Sequence, residues 1–250
     1  MKKTILFFNI IFIWFLSFIF FLSNNALANN LSINNVALKD RDPSIGIAII
    51  SFDISWENAW KTKINHDAVW VTIRLHSASA GTQKVLAPIT FSGDNPQGTS
   101  KGESEQGIDI YVTSDKLGAF ISPASYGKCS EISAMNVQLT VNYEEAGFAN
   151  TDQVYASVLG IEMVYIPEGP FYVGDYSFSQ ASLNQGSEDI DPWYIYNEES
   201  ISTDDAANNS YQYVSAGNAD EDPTGTSFLI PDEFPKGYKS FYAMKYEITE

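Results

Sequence analysis

Alternation of apolar and polar residues at every second position restricts this chain more than any other feature. In Val69–His76, Val69, Val71, Ile73 and Leu75 oppose Trp70, Thr72, Arg74 and His76. A strand turns successive side chains to opposite faces, whereas a helix needs apolar residues three and four apart. Further strands are expected over Ile45–Ser55, Val85–Phe91, Ile108–Thr113 and Val137–Tyr143, with Gly, Pro, Asn and Asp between them. Ser92–Gly107 reads as a long polar loop. Five or more short strands without a helix-period segment predict an antiparallel β-sandwich over residues 29–153.

Hydrophobic residues make up 44% of the 250 and aromatics 14%, enough for a packed core. The net charge of −17 argues against a nucleic-acid or anionic-membrane partner, because neutralising phosphates takes Lys and Arg. From Cys129 to Pro235 there are 19 Asp and Glu and no Lys or Arg. The first half is nearly balanced, so the change in charge suggests a second structural unit, placed at 154–250.

Within that unit, Val154–Asp175 reads as two strands joined by a tight turn at Pro167-Glu168-Gly169. That hairpin would fold Phe171 and Val173 back against Met163 and Tyr165. An acidic loop, 176–224, follows, interrupted by an apolar island at Trp193–Tyr196 that suits a short strand. After a turn at Pro235-Lys236-Gly237, the last strand sets Tyr242, Met244, Tyr246 and Ile248 against Phe241, Ala243, Lys245 and Glu247. It closes on Thr249-Glu250, a capping residue and a first-turn acid. The unit is thus expected to stop where a helix starts, leaving Tyr242, Met244, Tyr246 and Ile248 short of packing partners.

The N-terminus has the pattern of an export signal: Lys2 and Lys3, the apolar run Ile5–Leu22, then Ala26-Leu27-Ala28 as a small-x-small cleavage site. A signal peptide at 1–28 places the mature protein outside the cytoplasm, as a periplasmic, cell-surface or secreted protein. An uncleaved segment would instead anchor it to the membrane. No Cys follows the apolar run, which argues against a lipid anchor.

Individual motifs are sparse. Cys129, the one cysteine, cannot form an internal disulfide, and Lys128 beside it is weak support for a reactive thiol. His66 and His76 lack a zinc-site spacing, and His76 falls on the polar face of its strand. Trp56, Trp60 and Trp70 suit either core packing or a sugar-stacking platform. Asp189, Asp191, Asp220, Glu221 and Asp222 offer hard oxygen ligands to calcium, although neither run has the EF-hand pattern.

Two stretches together carry more. In "GIEMVYIPEGPFYVGD" (Gly160–Asp175), Met163, Val164, Ile166, Pro167, Gly169, Phe171 and Gly174 fit a Met-Val-x-Ile-Pro-x-Gly-x-Phe-x-Met-Gly pattern, with Val173 in place of the second Met. In "FPKGYKSFYAMKYEIT" (Phe234–Thr249), Phe241, Tyr242, Lys245, Tyr246, Glu247, Ile248 and Thr249 fit an aromatic strand ending in Glu-Val-Thr. Together they resemble the opening of the formylglycine-generating enzyme, or sulfatase-modifying factor, domain. The β-rich part, with "FDISWENAW" and "DAVWVTIRL", resembles a domain that precedes it in some secreted bacterial members.

The resemblance implies a C-type-lectin-like α/β fold, of which 154–250 is the N-terminal part. It also implies calcium as a structural ion. A copper-dependent oxidase of sulfatase cysteines would carry its cysteine pair downstream, outside this chain. No catalytic or cofactor-binding residue is assigned here, and the chain as given is expected to be inactive. The implied roles are a noncatalytic envelope or surface module binding protein or glycan, or the N-terminal part of a formylglycine-generating oxidase; the tryptophans Trp56, Trp60 and Trp70 instead suit a carbohydrate-binding sandwich adhesin.

Overall fold

The computed structural model describes residues 30–77, 84–173, 193–202 and 229–247. Among them 59% lie in strands and none in a helix, and the strands form a curled antiparallel sheet. In chain order they are β1 (Ser32–Asp42), β2 (Ile47–Lys61), β3 (His66–Ser77), β4 (Val85–Leu86), β5 (Gly93–Asp94), β6 (Thr99–Ser100), β7 (Ile108–Val112), β8 (Ala119–Pro123), β9 (Gly127–Asn142), β10 (Val154–Ile166), β11 (Phe171–Val173), β12 (Trp193–Ile195), β13 (Ile201–Ser202), β14 (Leu229–Ile230) and β15 (Phe241–Met244). The large sheet runs β5-β7-β8-β3-β2-β9-β6, with β1 on β2, β4 on β3, and β10 paired to both β3 and β15. Two ribbons stand apart from this pairing, β11 with β12 and β13 with β14. The expected signal segment, Gly174, the five proposed calcium ligands and Ile248 to Glu250 lie outside the described residues.

The chain divides into two compact units, one holding residues up to Ala59 with Val71–Gly160, the other Trp60–Trp70 with residues from Ile161 onward. In the first unit the two-residue period works as expected. Ala48, Ile50, Phe52, Ile54 and Trp56 of β2 are buried, as are Val71, Ile73 and Leu75 of β3. They join Ile108, Ile110 and Val112 of β7 and Ala119 and Ile121 of β8.

The long strands change phase at asparagines held in the left-handed region. In β9, Ile132 and Ala134 are buried, then Val137, Leu139 and Val141, with Asn136 at φ 56° where the phase slips. Asn58 (φ 52°) does the same in β2, so Ala59 is buried although Trp56 sets the opposite phase. Asn35 (φ 52°) marks a register shift in β1. Asn tolerates this conformation better than most residues, and each such bulge bends its strand and sharpens its twist.

Asp53 ties two of the bulges together. Its carboxylate accepts the Asn136 backbone N–H at 2.7 Å and the Asn35 side-chain amide at 2.6 Å. Gly102 lies against the same place. A Cβ there would strike the Met135 carbonyl and the Asn136–Val137 backbone, and its φ of +64° suits glycine. The polar stretch Ser92–Gly107 is thereby laid along β9, through Thr99↔Leu139, Ser100↔Gln138 and a bridge from Glu103 to Met135. Arg41 closes the far end of the unit, with its guanidinium 4.2 Å over the Tyr143 ring and bonds to the Ala149 and Asp152 carbonyls.

Two expectations need correction. The strand expected over Val85–Phe91 is only β4, because Pro88 has no N–H for a ladder; Ile89 makes an isolated bridge to Val141. The hairpin expected at Pro167-Glu168-Gly169 does not form. β10 instead pairs β15, with Met163↔Met244, Val164↔Ala243, Tyr165↔Tyr242 and Ile166↔Phe241, and β11 pairs β12. Pro167 and Pro170 both lack the N–H that a returning strand would donate, and Gly169 spends its own on the Tyr238 carbonyl at 3.0 Å.

In the second unit, Ile195 and Ile201 form a small core with Val173, Ile230 and Tyr238. Glu198 anchors the loop beside it, its carboxylate accepting the N–H of Lys236 at 2.7 Å and of Lys239 at 2.9 Å. Those bonds hold the Glu198 carboxyl below its ordinary range. The buried Lys236 ammonium donates to the carbonyls of Glu198 and Pro231.

Replacing Asp53 by Ala should lower unfolding stability by about 1–2 kcal/mol, as charged hydrogen bonds to two bulges are lost. The Asn136 N–H and the Asn35 amide hold the Asp53 carboxyl below its ordinary range, the backbone bond being the larger cause. A lowered folded-state pKa stabilises above the unfolded carboxylate value, and that contribution is lost as pH falls through the folded value. Urea midpoints of wild type and variant should therefore differ at neutral pH and converge in acid.

Candidate functional site

A hairpin places the first residues of the candidate site. Thr62 turns the chain between β2 and β3, its N–H bonded to the Asn65 carbonyl at 2.7 Å and its hydroxyl accepting the Asn65 N–H at 3.1 Å. Lys61 and His66 then pair across it. β3 leaves the turn with His66 and Asp67 pointing to opposite faces. β10 supplies Tyr165 to one face and Glu162 to the other, matched by Tyr242 of β15 and by Lys245 just after it.

The first face is a ring cluster. His66 stacks on Tyr165 with centroids 5.1 Å apart and planes 15° from parallel. Tyr242 meets both edge-on, at 5.9 Å from His66 and 5.2 Å from Tyr165. Its hydroxyl lies 3.1 Å from His66 Nε2, within hydrogen-bond distance. Burial lowers the His66 pKa, Lys61 lowers it further, and Asp67 opposes them.

The second face is an ion triad. Lys245 Nζ lies 2.8 Å from Asp67 Oδ2 and 3.7 Å from Glu162 Oε2. Its side chain is 13% exposed, and those of Asp67 and Glu162 are 1% and 8% exposed. The other Asp67 oxygen accepts the Trp60 N–H at 3.0 Å, and the Lys245 N–H bonds the Glu162 carbonyl at 2.9 Å. One ammonium between two carboxylates leaves the triad net negative. Tyr246 registers that field, since burial, then Glu162 and Asp67, raise its pKa.

Chemically, the first face sets an imidazole and a phenol in hydrogen-bond reach, and the second fixes charge, its ammonium engaged by two carboxylates. Among the described residues, no three His, Cys, Asp or Glu stand together as a metal-holding group.

The residues singled out from sequence are dispersed. Trp56 is 1% exposed and belongs to the core, while Trp60 and Trp70 are half-buried. His76 is half-buried rather than solvated, stacked 5.6 Å from Tyr155 with Nδ1 unbonded among the described residues. Cys129 is partly exposed and its thiol donates to the Glu131 carbonyl at 2.8 Å. Of the residues expected to lack packing on the last strand, Met244 and Tyr246 are 47% and 45% exposed, whereas Tyr242 is held in the ring cluster. Sequence reasoning missed Asp67, Glu162 and Lys245 as a group. The one available signal was a lysine inside an apolar strand soon after a long cation-free run.

Lys245→Met should destabilise by about 3–5 kcal/mol, because it strands two buried carboxylates, and Asp67→Asn in the same chain should recover part of the loss. Urea titration of the two variants tests this. For His66, a folded-state pKa below the unfolded value stabilises above the ordinary histidine range, and the contribution is lost as pH falls toward the lowered value. His66→Gln should therefore flatten the stability–pH curve as pH falls below the ordinary histidine range. An unchanged slope would show that the ring is not held neutral.

No family model matches this chain, and neither a curated protein nor a solved structure does.

Proposed function

We propose that the chain is an exported, noncatalytic binding module of the formylglycine-generating-enzyme-like kind. In this reading a sandwich-type domain precedes the opening part of a C-type-lectin-like domain. One observation carries the reading. The two stretches that bear the resemblance are far apart in sequence, yet they pair as neighbouring strands, Met163 to Met244 through Ile166 to Phe241. Three further residues of those stretches, Glu162, Lys245 and Tyr246, meet in the charged corner beside that pairing. Two motifs far apart in sequence that fold into one strand pair support a common structural role for them.

The noncatalytic part rests on chemistry. Oxidation of a client cysteine by way of a thiol pair needs two cysteines; residues 1–250 hold one, Cys129, outside both stretches, so no turnover is expected of these 250 residues by themselves. The partner is a protein or glycan outside the cytoplasm, and calcium remains the ion to test on the acidic loop.

The experiment is turnover. Incubated with a cysteine-containing sulfatase peptide and oxygen, with and without copper, the chain should give no formylglycine above background by mass spectrometry. Formylglycine in the copper arm would replace this reading with the oxidase.

A further inference from the structure

The β11–β12 ribbon has two unlike faces. Val173 and Ile195 turn inward to the small core with Ile201, Ile230 and Tyr238. The other face carries tyrosines. Tyr172 and Tyr194 are direct cross-strand partners, with ring centroids 4.7 Å apart and planes tilted by 38°. Tyr196, two residues along, continues the row at 6.1 Å from Tyr194 with planes 27° apart. The middle ring is half-buried, while the end rings, Tyr172 and Tyr196, are 68% and 42% exposed. Cross-strand aromatic pairing accounts for the contact between rings, but not for leaving two phenol faces open to water.

Charge selects what such faces would meet. From Val154 to Glu250 there are 17 Asp and Glu against three Lys. Two of those lysines are committed internally, Lys236 to the Glu198 and Pro231 carbonyls and Lys245 to Asp67 and Glu162. Glu199, Asp232 and Glu233 are exposed in the same unit. An anionic partner would be repelled, and a neutral one would gain nothing from this field. A cation gains twice, from the carboxylates at range and from the π-face at contact. Arginine fits better than lysine, since its planar, weakly hydrated guanidinium stacks on an aromatic ring.

We propose that the Tyr172–Tyr194–Tyr196 row is a docking surface for an arginine-bearing basic segment of a partner protein. Guanidinium groups stack on the exposed rings of Tyr172 and Tyr196, and the net negative charge of the unit draws the segment in. This names the partner class for the binding-module reading and rests on it. The two fail separately, because formylglycine turnover would sink that reading without touching a peptide-binding result.

The test is a fluorescence-polarisation titration of the full chain with labelled Arg-Gly and Lys-Gly repeat peptides and a neutral oligosaccharide, at about 50 and about 300 mM salt. The Arg peptide should bind most tightly, and more weakly at the higher salt. Tyr172→Leu/Tyr196→Leu leaves the net charge unchanged and should weaken it about tenfold, through loss of two cation–π contacts. Tyr172→Phe/Tyr196→Phe keeps the rings and should bind within about twofold of wild type. Tyr111→Leu, at another exposed tyrosine, should have no effect. Equal binding by the Leu double variant would overturn the proposal and leave only a diffuse acidic field. Loss of binding in the Phe variant, or preference for the oligosaccharide, would overturn it as well. If the Leu pair does not fold, Tyr172→Leu alone decides the matter by the same comparison.

Discussion

The carboxylate of Asp53 holds the point on which the first unit's curl depends. A strand as long as β9 cannot stay flat and keep one face buried throughout, because right-handed twist carries its side chains away from the core. Here the phase slips at Asn136 and again at Asn58, so buried residues resume on the correct side after each slip. Each bulge leaves backbone groups outside the ladder, and such groups must find partners. Asp53 accepts the Asn136 N–H and the Asn35 amide together. Gly102 leaves the room that this bent backbone needs. One exposed-looking acid thereby supports the bends on two strands.

In the second unit the comparable constraint is charge. Burying Lys245 without its carboxylates, or the carboxylates without Lys245, would cost far more than an exposed pair contributes. The triad therefore acts as a register device. It favours the alignment of β10 and β15 that brings Lys245 beside Glu162, and on the reverse face that same alignment sets Tyr242 against Tyr165 and His66. Both faces of the candidate site thus depend on one pairing.

Much of the first unit was legible because strand periodicity is local. Val71, Ile73 and Leu75 announce a buried face without reference to any partner, and the apolar island at Trp193 was rightly read as strand. What escaped is nonlocal. Trp56 and Trp60 share a parity in sequence and suggest one platform, but the left-handed residue between them resets the alternation. Asn58 looks like any polar strand residue until a neighbouring strand defines the register. The Pro167 turn failed as a hairpin because prolines on both sides of Glu168-Gly169 remove ladder donors, a point visible in sequence but outweighed by the tight-turn signal.

Sequence alone determined that this chain is mainly β, strongly acidic toward its C-terminal half, and provided with a single thiol. These follow from residue spacing and residue count, which no folding changes. Tertiary structure decided which strands meet, and with that the identity of the site. His66 and Tyr242 lie 176 residues apart in sequence, and Asp67 and Lys245 178. Their juxtaposition depends on loop closure and on completing the hydrogen-bond ladder, both properties of the whole fold rather than of any window of residues.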